Sequence, residues 1–528
     1  MTTTRPGELV GPLDRGLAVL RAVVAGDGKD GGRLGIGEVV RTTGLARATV
    51  DRVAATLTVL GVLRAEGRDL LLAPGAAELG NAYLDSCGLP ELLGPHASAL
   101  AELLDAPVSL AVPDGDGVRF LAQANRRRAM AIRFRPGDLL PAERCAPGAL
   151  FAAAWDEELW AGRADDAGFL ARVAQARKRG VAVDDQLIEP GLVAVSLPVR
   201  DPAGAVVCAV SVVSHTSRHD AAALESLALP PLTQTVAAME AALADAGGRY
   251  VRTGSGDPSA GAGLKEELGS GFLQSLARGL DVLRAFGAVR GPARLTDLAR
   301  LAGLPRATAR RSLITLRHLG YVREDDGGFV LLPRVLELGH ARLSALTLPE
   351  IATPHLVRLV RTVRESASVA VLDGDDIRYV ARVAGSRLLH IDIVVGTRLP
   401  AYATSMGRVL LGALPEAERD GRLGRIVPEA LTPRTLTGPA ELREAVAATA
   451  ERGFGWVEEE LEEGLRSIAV PVRDGGGRVV AALNIALNAG RCAPEESLET
   501  LLPQLRETAG RISADLTAVG RHAPLRMT

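Results

Sequence analysis

The chain has 528 residues, 47% of them hydrophobic and 23% charged, and carries a formal net charge of −2. That length predicts three or four domains with enough apolar material for their cores, and the near-neutral balance confines any nucleic-acid footprint to a segment. Asp, Glu or Arg interrupts every apolar stretch well before the ~18 residues a membrane span needs, and Met1-Thr2-Thr3-Thr4-Arg5 has no signal-peptide core, so a cytoplasmic protein without a membrane partner is expected.

In chain order, Leu17, Leu20 and Val24 recur at helical spacing. A short helix over Ile36 to Thr43, a turn, a helix over Arg47 to Leu60 and a hairpin around Glu66-Gly67-Arg68-Asp69 follow. Three helices and a hairpin predict a winged helix-turn-helix over 12–73, and a mixed region over 74–245 comes next. Then AGGRYVRTGSGDPSAGAGLKEELGS, rich in Gly, Ser and Ala, predicts a flexible linker over 246–271. Beyond it Leu276, Leu280, Leu283 and Phe286 again mark an amphipathic helix. A helix over Thr296 to Ala302, the turn Gly303-Leu304-Pro305, a helix over Arg306 to Leu319 and a hairpin turning at Asp325-Asp326-Gly327-Gly328 complete a second winged domain, 272–332. In 333–518, Val369-Ala370-Val371-Leu372, Ile377 to Arg382, Ile468 to Val472 and Val479 to Ile485 are short β-rich runs joined pairwise by Asp-Gly turns. An antiparallel sheet flanked by helices fits them.

The two halves repeat one text. Gly44-Leu45-Ala46-Arg47-Ala48-Thr49 returns as Gly303-Leu304-Pro305-Arg306-Ala307-Thr308, an offset of 259 (303 − 44) that holds through Pro90/Pro349, Gly115/Gly374, Gly137/Gly396 and Gly148/Gly407. Gly180/Gly453 and Gly191/Gly464 are 273 apart, so the second copy has about 14 extra residues, placed between Ala413 and Leu442. A whole module is duplicated, far beyond the 20–50-residue period of a solenoid. The chain reads as two subunits of a DNA-binding dimer joined end to end.

The third helix of the second copy carries Arg306, Arg310, Arg311, Arg317 and His318, with no acidic residue from Leu304 to Tyr321. Such a helix is a local cation suited to phosphates and to guanine edges, where arginine donates two bonds. Arg306, Thr308, Arg310 and Arg311 are the candidates for contact with double-stranded operator DNA; in the first copy they are Arg47, Thr49 and Arg52, with Asp51 reducing the field. The alternative is that some of these arginines only solvate a face and that Thr308 packs or caps.

Longer matches carry a family resemblance. Ser275-Leu276-Ala277-Arg278-Gly279-Leu280, Gly396-Thr397-Arg398-Leu399-Pro400-Ala401-Tyr402-Ala403-Thr404-Ser405-Met406-Gly407-Arg408 and Glu462-Glu463-Gly464-Leu465-Arg466-Ser467-Ile468-Ala469-Val470-Pro471-Val472 resemble the IclR family of bacterial transcriptional regulators, in two tandem copies. The Ala-Thr-Ser-Met-Gly-Arg text resembles the subgroup governing protocatechuate, 4-hydroxybenzoate and other β-ketoadipate-pathway genes. The resemblance implies an α+β multidomain chain: two winged helix-turn-helix domains, each followed by a GAF-like α/β effector-binding domain that takes a small aromatic or keto acid. In the family the winged domain dimerises on operator DNA. From the residues themselves, Thr404, Ser405, Met406 and Gly407 open a helix whose hydroxyls and free N–H groups suit a carboxylate, with Arg466 and Ser467 as further donors. The resemblance places the pocket between these segments and the strand near Asn484. The alternative is that Thr404 or Ser405 caps the helix and Arg466 pairs with Glu462 or Glu463. In the first copy Cys145-Ala146-Pro147-Gly148-Ala149 and Val193-Ala194 stand at these places, while Val195-Ser196-Leu197-Pro198-Val199-Arg200-Asp201 keeps the sheet text. That domain is expected to keep the fold and to lose the ligand or take a less polar one, with Cys145 a core or rim cysteine rather than a reactive thiol.

An enzyme is not expected, and no cofactor or metal. Gly-x-Ser-x-Gly, Gly-x-x-x-x-Gly-Lys and His-Glu-x-x-His are absent, and His215 and His219 fall at a strand end and loop. Cys87, Cys145, Cys208 and Cys492 are scattered without a Cys-x-x-Cys pair. Glu458-Glu459-Glu460 and Glu462-Glu463 read as a solvated face or loop. The expected function is a one-component, ligand-responsive repressor or activator of catabolic genes whose tandem copies form an intrachain pseudo-dimer, with homodimerisation through the effector domains still open to it. The competing reading is a ligand-gated interaction protein without operator binding.

Overall fold

The structure, a computed structural model, describes residues 9–527 apart from 27–32, 127–131, 155–165, 247–270, 326, 386–392 and 491–492. Nearly all of the predicted linker, together with Asp326 and Cys492, lies outside the described residues. The chain divides into two compact units, Met1–Ser344 and Ala345–Thr528.

The first unit opens with α1 (Gly11–Ala25), β1 (Leu34–Gly35), α2 (Ile36–Thr43), α3 (Arg47–Val59), β2 (Leu63–Glu66) and β3 (Asp69–Leu72), a three-helix winged domain with strand order β1-β3-β2. Pro12 sits in the first turn of α1, where its missing N–H costs nothing, and Leu13, Leu17 and Leu20 form the buried stripe. Helices α4 (Ala77–Cys87) and α5 (Leu89–Leu104) lead to the first sensor. It comprises β4 (Val108–Asp114), β5 (Gly117–Ala124), β6 (Leu139–Pro141), α6 (Ala146–Ala154), α7 (Ala167–Arg179), β7 (Ala182–Asp185), β8 (Leu192–Arg200), β9 (Val206–His215) and α8 (Ala221–Asp245). Its six strands form an antiparallel sheet in the order β6-β5-β4-β9-β8-β7. The second winged domain follows as α9 (Gln274–Ala285), α10 (Leu295–Leu301), α11 (Arg306–His318), β10 (Val322–Asp325) and β11 (Gly328–Leu331), with α12 (His340–Leu343) after it.

The two winged domains pack on each other through α1 and α9, and the contact is reciprocal. Gly16 and Gly279 hold the same place in the repeated Arg-Gly-Leu text, as Leu13 and Leu276 do one turn earlier. A Cβ on Gly16 would stand 2.3 Å from a Leu276 methyl, and one on Gly279 would stand 2.5 Å from a Leu13 methyl. Each glycine is the hole for the other helix's leucine. The same exchange recurs in hydrogen bonds: Val10 N donates to Thr315 Oγ1 at 2.9 Å and Leu273 N to Thr56 Oγ1 at 3.1 Å. Such pairing, i on j and j on i, is the signature of an isologous interface. One contact breaks the symmetry, because Arg21 donates to the Tyr321 hydroxyl at 3.3 Å and that hydroxyl donates to Glu337 at 2.7 Å. Val62 stands in Tyr321's place in the first copy.

The second unit is a second sensor: α13 (Leu348–Val363), β12 (Ser366–Asp373), β13 (Asp376–Val383), β14 (Arg398–Pro400), α14 (Ser405–Gly412), α15 (Glu416–Leu423), α16 (Pro439–Arg452), β15 (Gly455–Glu458), β16 (Leu465–Arg473), β17 (Val479–Asn488) and α17 (Pro494–Gly520). Its sheet order, β14-β13-β12-β17-β16-β15, repeats that of the first sensor. Strand alternation sends Ile468, Val470 and Val472 of β16 to one face, where Leu356 of α13 and Leu505 and Ile512 of α17 complete a core. Ala469 and Ala482 face the other way, toward Tyr379 and toward Met406 and Val409 of α14. Between Ala413 and Leu442, where the extra residues of the second copy fall, lie α15 and the segment 424–438 after it.

Candidate DNA interface and effector site

Helices α3 and α11 present the predicted DNA-contacting residues. Arg47, Arg52, Arg306, Arg310 and Arg311 are exposed, while Thr49 and Thr308 are half-buried at the helix starts. Ala46 and Pro305 are their N-cap residues, so neither helix has a side-chain cap, and neither has an acidic residue in its first turn, which leaves their starts favourable to an anion. Arg306, Arg310 and Arg311 form no ion pair among the described residues. Arg317, counted in the cationic face from sequence, is spent on Glu324 of the wing. In the first copy Arg47 lies 3.8 Å from Asp51, which dilutes that helix's field as expected.

In the second unit, a cavity opens between α14 and the sheet. Thr404, Ser405, Met406, Ser467 and Asn484 line it, and so do Tyr379, Arg382 and Leu461. Its volume is about 20 Å³, room for one water, so a ring-sized ligand has to push the walls apart. Thr404 caps α14, its hydroxyl accepting from Gly407 N at 3.0 Å, and the Ser467 hydroxyl donates to Ser405 at 2.9 Å. Asn484 is buried and lines the cavity, with an Oδ1 that has no hydrogen-bond partner among the described residues.

Two predicted residues do not join this group. Gly407 lies off the cavity; a Cβ there would come within 2.1 Å of the Ala401 carbonyl oxygen, as one on Gly148 would at Ala142, so the repeated glycine serves a backbone contact. Arg466 is one residue from Ser467 on β16 and faces the opposite side of the sheet. There it stacks on Trp456 at 5.2 Å and donates to Glu458 at 2.6 Å and to Ser497 at 3.2 Å. The cation of the cavity is instead Arg382, which sequence reasoning did not single out: three residues from Tyr379, it would fall on the opposite face of a regular strand, and the bulge between Tyr379 and Ala381 brings both to the cavity.

The acidic run is likewise not a solvated face throughout. Glu460 is buried and pairs with Arg408 of α14. Glu459 accepts from Gly464 N at 2.8 Å and lies 3.1 Å from Arg434, and its carbonyl accepts from Thr432 at 2.6 Å. Segment 424–438 is thereby sewn to the chain between Val457 and Leu465, which forms one wall of the cavity.

In the first sensor, burial pushes the Cys145 thiol up to about 12, which leaves it un-ionised at neutral pH. Asp184 is fully buried and its carboxyl is pushed from 3.8 up to about 6, first by burial, against hydrogen bonds from the Leu187 and Ile188 backbone. A raised carboxyl disfavours the folded state once ionised. Stability is therefore whole below about pH 4 and falls as pH rises through 6, by about 3 kcal/mol at ~1.4 kcal/mol per unit. Asp184→Asn, which keeps the acceptor for Leu187 N, should match the wild type in urea unfolding at pH 4 and exceed it at pH 7.5; equal curves at both pH values would contradict this. His215 and His219 bond to Ser217 and Ser214, both at 3.0 Å. Among the described residues no group of three His, Cys, Asp or Glu is placed to hold a metal ion, and no helix is long and apolar enough to cross a membrane.

Two winged domains with exposed arginines on their third helices, each followed by a sheet-based sensor, define a ligand-responsive DNA-binding regulator. The IclR helix-turn-helix domain profile matches residues 12–67 and 275–326, and the bacterial transcriptional regulator IclR C-terminal profile matches 81–239 and 340–514. The chain belongs to the IclR family of transcriptional regulators, as a tandem pair. It is similar to the Pca regulon regulatory protein of Pseudomonas putida, 44% identical over 44% of this chain and 81% of that protein. It is also similar to the p-hydroxybenzoate hydroxylase transcriptional activator of Acinetobacter baylyi, 35% identical over 46% and 91%. Among solved structures, a putative transcriptional regulator from Rhodococcus sp. RHA1 is 52% identical over 47% of this chain and 100% of that one, with a TM-score of 0.44.

Proposed function

We propose that the chain is a one-component regulator of aromatic-acid catabolic genes, and not an enzyme, whose two winged domains bind one operator as an intrachain pseudo-dimer. The observation that carries this reading is the reciprocal α1–α9 contact, with Gly16 receiving Leu276 and Gly279 receiving Leu13. Because the contact lies within one chain, the second domain binds at a high effective concentration and pairing needs no second molecule. The helices α3 and α11 differ in sequence, so the operator is an imperfect palindrome with unequal half-sites. Arg306, Thr308, Arg310 and Arg311 read one half-site and Arg47, Thr49 and Arg52 the other. The sensor domains remain free to associate two chains.

The effector is a hydroxylated aromatic acid. Arg382 supplies the positive charge for a carboxylate, the Ser405 hydroxyl, which accepts from Ser467 and keeps its own proton, supplies a donor, and the Asn484 Oδ1 accepts from a ligand hydroxyl. Relatives named for the Pca regulon and for p-hydroxybenzoate hydroxylase support protocatechuate and 4-hydroxybenzoate as the first acids to try. Ligand entry widens the cavity and shifts the population between operator-competent and incompetent spacings of the winged domains.

The test is fluorescence anisotropy on the chain's own upstream intergenic DNA at fixed salt, with and without each acid. One acid should shift a sequence-selective isotherm; selective binding indifferent to both would remove the effector assignment. Arg311→Ala should cost about 1–3 kcal/mol on the intact operator and nothing further once its half-site is already scrambled. Equal losses on operators scrambled in either half would remove the pseudo-dimer. Retained binding to random DNA with no preferred operator would favour a ligand-gated interaction protein.

A further inference from the structure

The first sensor keeps the sheet order of the second but fills the matching space itself. Phe120 and Phe134 occupy the places of Tyr379 and Ile393 in the 259-residue register, and both of those line the second cavity. Their rings stack with centroids 4.1 Å apart and an interplanar angle of 15°. Phe134 packs into the cluster of Leu192, Ala194 and Val213, whose counterparts Leu465, Ser467 and Ala486 are walls of the second cavity. The polar anchors have gone with the space: Ala146 and Ala194 replace Ser405 and Ser467. Gln123, in the place of Arg382, turns its Oε1 to accept from Phe134 N at 2.7 Å, which holds the backbone that carries the ring. Ser211, in the place of Asn484, is spent on Ser196 at 2.6 Å.

We infer that Phe134 is a resident aromatic ring that takes the effector's place in the first sensor, so that a chain with two sensors binds one effector and its first sensor stays permanently in the ring-filled state. The two halves then differ in kind: the second sensor responds and the first does not. The number of effectors per chain rests on the effector reading proposed above; the occupancy by Phe134 does not. Phe134 is half-buried, with its ring against the buried apolar cluster of Leu192, Ala194 and Val213, and an apolar space vacated by truncating a large side chain accepts a small aromatic molecule. Phe134→Ala should therefore create a site for a neutral ring that needs no carboxylate partner.

Calorimetric titration of the full chain tests this. Wild type should take one equivalent of 4-hydroxybenzoate and show no saturable phenol site. Phe134→Ala should gain one phenol site at least tenfold tighter than any wild-type phenol binding, and the gain should persist in Arg382→Gln, where carboxylate binding is lost. Two equivalents of 4-hydroxybenzoate in wild type, or no phenol gain in a variant that keeps the wild-type circular dichroism, would overturn the inference. If wild type takes no 4-hydroxybenzoate, the effector reading fails while the phenol arm still decides the occupancy. Should Phe134→Ala not fold, Phe134→Leu, which trims the ring and keeps an apolar filling, is titrated with benzene for the same gain or its absence.

Discussion

Gly279→Leu is expected to lower operator affinity at least tenfold while leaving both sensors folded. The glycine lies in the middle of α9, where glycine is about 0.8–1 kcal/mol less favourable than alanine and leucine ranks close to alanine, so the isolated helix would gain. The interface decides otherwise. A Cβ at that position already stands 2.5 Å from both Leu13 methyls, and Leu13 is fully buried with no free direction to yield. Overpacking a closed core costs typically about 1–3 kcal/mol for added methylenes, and a whole isobutyl group exceeds what a side-chain shift can absorb. The helices must separate, and the spacing of α3 and α11 moves with them. The reciprocal Gly16→Leu should give the same loss through Leu276, and since one substitution already parts the helices, the double variant should lose far less than the sum of the two. Anisotropy on the same operator measures all three. A surface substitution such as Gly37→Leu, where no atom lies within 4 Å of the new Cβ, is the control. Unchanged affinity for both interface variants would mean that the α1–α9 contact does not set the spacing that DNA requires.

Much of this architecture was legible in the sequence because it is written in local patterns. Leu276, Leu280 and Leu283 fix α9 by spacing, and all three are buried. The repeated Gly-Leu-x-Arg-Ala-Thr text puts the starts of α3 and α11 at Arg47 and Arg306. Thr404, Ser405 and Met406 share one helix start, so a linear motif brings them to one place. Arg466 was misleading for an equally physical reason: adjacency in sequence places neighbours on opposite faces of a strand, so Ser467 meets the cavity and Arg466 meets α17. Arg382 and Tyr379 were overlooked because they arrive from β13, far in sequence from the motif they face. The Arg408–Glu460 pair spans 52 residues and depends on a loop path that no periodicity encodes. The reciprocal fit of glycine and leucine across α1 and α9 is a tertiary relation, invisible until both helices are placed.

That buried pair carries the largest stability effect expected of a single substitution. The Arg408 and Glu460 side chains are only 5% and 9% exposed, and Arg408 Nε also donates to the Tyr402 carbonyl at 3.3 Å. Around Glu460 the chain is tied by Thr435, which donates to its carbonyl at 2.6 Å, and by Leu436 N on its carboxylate at 3.4 Å. Arg408→Ala would leave the carboxylate buried with its charge uncompensated, which costs about 3–5 kcal/mol. Replacing both partners by apolar groups removes the penalty together with the attraction and is often close to neutral. The protein contains that experiment already: in the first sensor Ala149 and Leu187 stand in the places of Arg408 and Glu460, inside the same sheet order. Arg408→Ala and Glu460→Leu should each destabilise the second sensor strongly in urea unfolding, and the double variant should recover most of the loss. The effector affinity should follow a different course. Segment 424–438 and the wall from Val457 to Leu465 are joined through Glu459 and Glu460, so the double variant, though stable, should bind 4-hydroxybenzoate more weakly than wild type. A double variant as unstable as the single ones would show that the pair is not isolated from its surroundings, and one that is stable with unchanged effector affinity would show that the cavity wall does not depend on it.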